Sequence, residues 1–208
     1  MLLRLKKLQG LPIDAADGEI GTIRDVYFDD RPWAARYLVV ETGLRLGGRN
    51  VLISTMSVQG IDWMRNRVQV SLTREQIAAS PPLDILEPVS RQEGAAPSDP
   101  QLRRAQQLRG YRIQTADDAV GQIEDLLVDS ENWEIRYLVI DTRSWLPGRR
   151  VVIPPKWITS VDWTQRVVNV DVSPSTVQAS PDYQPAQDFS RTHEANLYRH
   201  YGRPGYWQ

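Results

Sequence analysis

The chain has no cysteine among its 208 residues and only two histidines, His193 and His200. The missing thiols exclude disulfide staples, cysteine-bound zinc, thiol nucleophiles and iron–sulfur ligation. His193-Glu194 opens a zinc-type H-E-x-x-H pattern, but Leu197 stands where the second histidine belongs, so the motif fails. Neither G-x-G-x-x-G nor G-x-x-x-x-G-K-[ST] occurs, which removes the usual nucleotide-cradling loops. The chain is therefore predicted to be no enzyme, with no catalytic residue, no cofactor and no bound metal. It also lacks 18 consecutive apolar residues, so direct membrane insertion is not expected. Arg4, Lys6 and Lys7 interrupt the N-terminus, which has no apolar core of a secretory signal; a cytoplasmic location is the expectation. Nor does one sign of charge dominate. Residues 1–90 carry 11 basic and 11 acidic side chains, and residues 101–180 carry 10 and 10. Nucleic-acid binders draw much of their affinity from a basic excess, so an RNA or ribosome partner is not favoured by charge.

What the chain does have is an internal repeat. Residues 8–81 recur at 108–181, shifted by 100 positions without a gap, and 27 of the 74 positions are identical. Gly21-Thr-Ile-Arg-Asp25 answers Gly121-Gln-Ile-Glu-Asp125, and Arg36-Tyr-Leu-Val39 answers Arg136-Tyr-Leu-Val139. A domain of roughly 80 residues buries only about 60–65% of its unfolded surface, so each copy is marginal alone. The expected organisation is a barrel at 1–83, a linker at 84–100 rich in Pro, Gly, Ala and Ser, a second barrel at 101–181 and an aromatic tail at 182–208.

Each copy reads as short strands. Residues 20–28 and 120–128 are rich in Ile, Val, Leu and aromatics between turn residues. Their alternation works only if one extra residue is inserted near Asp25 and Asp125, which predicts a β-bulge at both. Strands follow at 35–42 and 135–142, 50–54 and 150–154, 67–72 and 167–172, with a turn-containing segment ending at Asp62-Trp63 and its counterpart at 161–163. In the second pair Leu38 and Val40 point one way, Tyr37 and Val39 the other, and both faces are apolar. The outer face therefore needs cover, from the other repeat or from a second subunit. Thr73 with Gln76 forms a capping box, and Ser173-Pro174 places a cap before a proline at the first helical position, so each copy closes with a short helix. In the tail, Ser190 caps a helix whose Leu197, Tyr198 and Tyr201 share one face and which Gly202 ends.

The G-x-I-x-D-x-x-x-D strand, the R-Y-L-V strand and the V-x-I-P-type strand together resemble the PRC-barrel family. Gly21, Asp25, Asp29 and Tyr37-Leu38-Val39 carry the resemblance in the first copy; Gly121, Asp125, Asp129 and Tyr137-Leu138-Val139 carry it in the second. Ile153-Pro154 fits the family's I-P step, where the first copy has Ile53-Ser54. The family includes the cytoplasmic domain of the photosynthetic reaction-centre H subunit and the C-terminal domain of a ribosome maturation factor. The resemblance implies a mainly β fold of two tandem small barrels, each with a short C-terminal helix, followed by a short helical aromatic tail. It also implies a bacterial protein-interaction or assembly module. The H subunit's anchor helix and the maturation factor's different N-terminal barrel have no counterpart here.

Read against their spacing, the repeated polar residues suit structural duties. Asp25 and Asp125 are expected to satisfy backbone donors at the bulges, Asp29 to start a turn, and Asp62 and Asp162 to meet arginines. Arg36 and Arg136 share the parity of Leu38 and Leu138, so each is expected to pair with Asp25 or Asp62, or with Asp125 or Asp162. Arg45, Arg49, Arg143, Trp145, Arg149 and Arg150 form a basic loop set that could hold phosphate or RNA by bidentate pairing and stacking. Tyr37, Val39, Tyr137, Val139, Tyr198, Tyr201, Tyr206 and Trp207 are the expected association surface. The leading expectation is a homo-oligomeric, non-enzymatic protein-binding module. The alternatives are a ribosome- or RNA-associated factor and an accessory subunit of a reaction-centre-like membrane complex.

Overall fold

A computed structural model describes residues 1–79, 102–142 and 148–208, and the expected linker at 84–100 lies outside the described residues. The described chain is mainly β, with two seven-stranded sheets and few short helices. Two compact units organise it, and each takes residues from both repeats. One comprises Arg4–Gln107 with Glu131–Glu134; the other comprises Met1–Leu3, Leu108–Ser130 and Ile135–Gln208, so the tail is part of it.

In the first unit the strands are β2 (Pro12–Ala15), β3 (Gly18–Asp29), β4 (Ala34–Thr42), β5 (Asn50–Ser54), β6 (Val58–Asp62) and β7 (Arg67–Val70). They follow β1 (Leu2–Arg4) and a single helical turn, α1 (Leu5–Leu8), and lead to the five-residue helix α2 (Arg74–Ala78). The sheet order is β5-β4-β3-β2-β7-β6, antiparallel except where β2 meets β7. In the second unit β9 (Arg112–Gln114), β10 (Ala119–Asp129), β11 (Ile135–Asp141), β12 (Arg150–Ile153), β13 (Ile158–Asp162) and β14 (Val167–Val170) repeat that order. Helices α3 (Pro174–Gln178) and α4 (Arg191–His200) follow.

The seventh strand of each sheet comes from the other copy. β8 (Leu102–Arg104) pairs antiparallel with β3, placing Arg104 opposite Tyr27 and Leu102 opposite Asp29. Reciprocally, β1 pairs with β10, Leu3 is buried, and the Ser130 N–H donates to the Met1 carbonyl at 2.9 Å.

The expected bulges are present. Between β3 and β4 the register steps from Ile23 opposite Val40 to Asp25 opposite Val39, leaving Arg24 unpaired. The same step occurs from Ile123 to Asp125. It lets Ile23, Val26 and Phe28 face the core, where all are buried. A second step, from Tyr27 opposite Tyr37 to Phe28 opposite Ala35, leaves Arg36 out of the ladder, and Arg136 is displaced likewise. These bulges bend the long strands so that the sheets curl around their apolar faces.

The second bulge corrects two expectations. It breaks the parity between Arg36 and Leu38, so Arg36 emerges from the sheet instead of entering the core. Its partner is Asp29 at 3.7 Å, and Arg136 meets Asp129 at 3.8 Å; neither pairs with Asp25, Asp62, Asp125 or Asp162. The segment before Asp62, read as turn-containing, holds the helical turn Thr55–Ser57 and then strand β6, whose own irregularity between Val58 and Gly60 blurs its alternation.

Asp25 acts at the bulge as expected: its Oδ1 accepts from the Val26 N–H at 2.8 Å. It also accepts from the Gln106 N–H at 3.3 Å, while Oδ2 lies 3.3 Å from Arg104 Nε. The bulge carboxylate thus grips the borrowed segment. Asp125 repeats the backbone bond to Leu126 at 2.9 Å and faces Arg109 at 3.9 Å. Asp29 accepts from the Arg31 N–H, and Asp62 accepts from the N–H groups of Met64 and Arg65 while its other oxygen faces Arg65 at 3.9 Å. Asp162 is again a turn former, accepting from the N–H groups of Thr164 and Gln165. A Cβ at Gly21 would enter the Glu41 carbonyl of the paired strand, and the Asp141 carbonyl blocks Gly121 likewise.

Leu3→Ala should destabilise the second unit, whose residues lie elsewhere in the sequence, by about 2–4 kcal/mol. Urea unfolding read by hydrogen exchange at Leu126–Val128 checks this; protection loss confined to residues 4–79 would contradict the exchange of strands.

Candidate interaction face

The tail is the element that turns a barrel into a surface. After α3, the Tyr183 N–H donates to the Arg150 carbonyl at 2.7 Å, so the connector runs along the edge strand β12. It then delivers α4 to the outer face of β11, the face that carries Tyr137 and Val139. Ser190 starts the helix as expected: its N–H donates to His193 Nδ1 at 3.2 Å, and its Oγ lies 2.9 Å from the same nitrogen. Gly202 ends it at φ +61°.

Glu194, Leu197, Tyr198 and Tyr201 recur at helical spacing, so one face of α4 presents a carboxylate followed by three apolar or aromatic anchors. Glu194 is 3% exposed. Its Oε1 accepts from Tyr137 Oη and from Tyr206 Oη, both at 2.8 Å, and its Oε2 lies 2.9 Å from Arg191 Nη1. A carboxylate can be buried here because donors meet both oxygens. Around this hub the rings interlock. Phe189 packs edge-on against Tyr137 at 5.3 Å and Tyr183 at 5.6 Å, and Trp157 contacts Tyr198 at 5.6 Å and Tyr201 at 4.6 Å. Cations cover the exposed ring faces: Arg136 lies 4.1 Å from the Tyr206 centroid, Arg191 4.5 Å from Trp207, and Arg203 4.9 Å from Trp157. His200 Nε2 donates to the Thr176 carbonyl at 2.8 Å, and Arg203 meets Asp171 at 2.9 Å, tying the helix end to α3 and β14.

Burial pushes the hydroxyls of this cluster up. Desolvation, then the neighbouring carboxylate and tyrosines, raises Tyr137 far above an ordinary phenol. Tyr198 is pushed up to about 12, mainly by desolvation, and Tyr201 and Tyr206 rise for the same first reason. The Lys156 ammonium is held below its usual value by partial burial and by Arg136 and Arg203.

Tyr137 and Val139 are therefore fully buried, and Tyr198 nearly so; Tyr201 and Tyr206 are half-buried, and Trp207 is at the surface. The cover over Tyr137 is the chain's own tail, where the sequence pointed to the other repeat or a second subunit. In the first copy Tyr37 is half-buried and Val39 buried. The basic loop does not gather as a free cationic face among the described residues. Arg149 pairs with Asp182 and donates to the Gln178 carbonyl, Arg150 pairs with Glu124, and Arg49 donates to the Ala78 carbonyl. Arg45 lies in the helical turn Leu44–Leu46, while Arg143 and Trp145 lie outside the described residues. Glu194, Arg191, Phe189 and Trp157 were missed from sequence; the helical spacing of Glu194 from Leu197 and Tyr198 was the available signal.

The PRC-barrel domain profile matches residues 2–77 and again residues 100–177. The chain belongs to the PRC-barrel family. Both matches end before the tail, so the interlocked face joins a PRC barrel to a segment outside the family's domain. No curated protein matches the sequence. Among solved structures, a protein described as the 16S ribosomal RNA processing protein RimM of Pseudomonas aeruginosa is similar over 84% of this chain and 99% of its own, at 15% identity and a TM-score of 0.29. No helix among the described residues is long and apolar enough to cross a membrane.

Glu194→Ala should release the tail, because it strands the buried Tyr137 hydroxyl, the half-buried Tyr206 hydroxyl and one arginine. A loss of about 2–4 kcal/mol is expected, read as a shift in Trp157 and Trp207 fluorescence with β10–β11 exchange protection retained. Raised phenol pKa values mean that the fold keeps protons the unfolded chain would lose. Their contribution is whole below pH 10 and falls as pH rises through the Tyr198 value of about 12. Ultraviolet titration of tyrosinate should show late-ionising phenols whose transition coincides with tail release; a single unperturbed transition would contradict the buried cluster.

Proposed function

We propose that the chain is a non-enzymatic protein-association module that presents the outer faces of its PRC barrels to protein segments, including those of its own copies. The observation that carries this is α4 seated on Tyr137 of β11 and on Trp157: a barrel face that takes an amphipathic helix through one buried carboxylate and a set of rings. That is helix-in-groove recognition, in which spaced anchors give affinity and a polar contact fixes register. The RNA reading draws less support, since Arg149 and Arg150 are spent on Asp182 and Glu124 and neither repeat is basic.

Sedimentation of the full chain at micromolar concentration, beside affinity purification with mass spectrometry, tests the proposal. Self-association or a stoichiometric protein partner is the expected result. A strict monomer that retains no protein, or retains RNA in a salt-dependent manner instead, overturns it.

A further inference from the structure

The repeat supplies a comparison within the molecule. At the position where the tail covers the second copy, the first copy keeps the tyrosine that meets α4 and the arginine that lies over the Tyr206 ring, but leaves both more accessible. Arg36 and Tyr37 match Arg136 and Tyr137, and the neighbouring register is the same: Val39 lies opposite Leu52 as Val139 lies opposite Val152. The Arg36 side chain is 47% exposed where Arg136 is 18%. Tyr37 and Leu52 are half-buried, while Tyr137 and Val152 are buried. Met56, 93% exposed, stands where Lys156 lies over the Tyr198 ring. Among the described residues the Tyr37 hydroxyl has no hydrogen-bond partner and its ring no aromatic neighbour.

From this we infer that the outer face formed by Arg36, Tyr37, Leu52 and Met56 is a second helix-docking site, whose occupant is an amphipathic helix of a partner protein carrying a glutamate followed at the third, fourth and seventh positions by apolar or aromatic residues. The chemistry is that of Glu194, Leu197, Tyr198 and Tyr201. Tyr37 donates to the partner's carboxylate as Tyr137 does to Glu194, and the Arg36 guanidinium adds charge complementarity. Met56 supplies the thioether contact to a ring that suits a promiscuous apolar surface. Trp157 has become Ser57, so the first copy lacks the second copy's aromatic shelf and has room for a bulkier anchor. The inference rests on the protein-association reading and specifies its partner.

The probe is a synthetic peptide of residues 189–208, titrated into the intact chain, whose second-copy site its own tail already fills. Saturable binding of one peptide per chain is expected. Tyr37→Phe should weaken it about fivefold to tenfold, the loss of one hydrogen bond to a charged group. Met56→Ala, at a site too exposed to affect folding, should weaken it about threefold, and Met64→Ala, 97% exposed and outside this face, should leave it unchanged. Absence of binding, or binding undiminished by both Tyr37→Phe and Met56→Ala, overturns the inference. A chain that associates in sedimentation yet ignores the peptide removes this site alone; a chain that does neither removes the association reading as well.

Discussion

The bulge carboxylates are the constraint on which the rest depends. Asp25 and Asp125 are 2% exposed, and a carboxylate that deep must be met by donors. At Asp25 they include one backbone amide of its own strand and one of a segment some 80 residues later, whose Arg104 adds an ion pair. The same side chain thus bends the long strand and fixes the borrowed one beside it. Without the borrowed segment the carboxylate would lose the Gln106 amide and the Arg104 ion pair. This explains why the aspartate stands in both copies while its neighbours at 24 and 124 differ in sign.

The two copies then diverge where a barrel does not dictate the residue. In the second, the outer face of β11 and β12 is closed by rings around Glu194, and stacked guanidiniums seal the margin. Burying one carboxylate with three donors costs less than leaving an apolar sheet face wet, and it sets the helix in a single register. In the first, the corresponding tyrosine and arginine remain accessible, and an exposed methionine takes the place of a lysine. Among the described residues, the second barrel is therefore covered by the chain's own tail at a position where the first is not.

Much of this was legible in the sequence because it is local. The gapless shift of 100 positions announced two copies, broken alternation at Asp25 announced the bulge, and Thr73, Ser173, Ser190 and Gly202 announced the helix ends. What escaped was non-local. Three-residue strands such as β1 and β8 carry no periodicity, so their exchange left no sign. The second bulge was hidden because Arg36 kept an unbroken pattern with Leu38, and only the paired strand shows the slip. Glu194 gave no sign of burial in the sequence, because the Tyr137 hydroxyl that meets it lies 57 residues away.

The exchanged strands also set an order on synthesis. β3 meets its seventh neighbour only once Arg104 has left the ribosome, and β1 waits until Ser130 before its carbonyl has a donor. The first-made barrel is thus held incomplete, with a sheet edge open, while the second copy is translated. Contacts of such sequence separation are slow to close and leave pairing-competent edges exposed meanwhile. The last strand of each sheet is thus placed only after both copies have begun to emerge, which ties the completion of one barrel to the synthesis of the other.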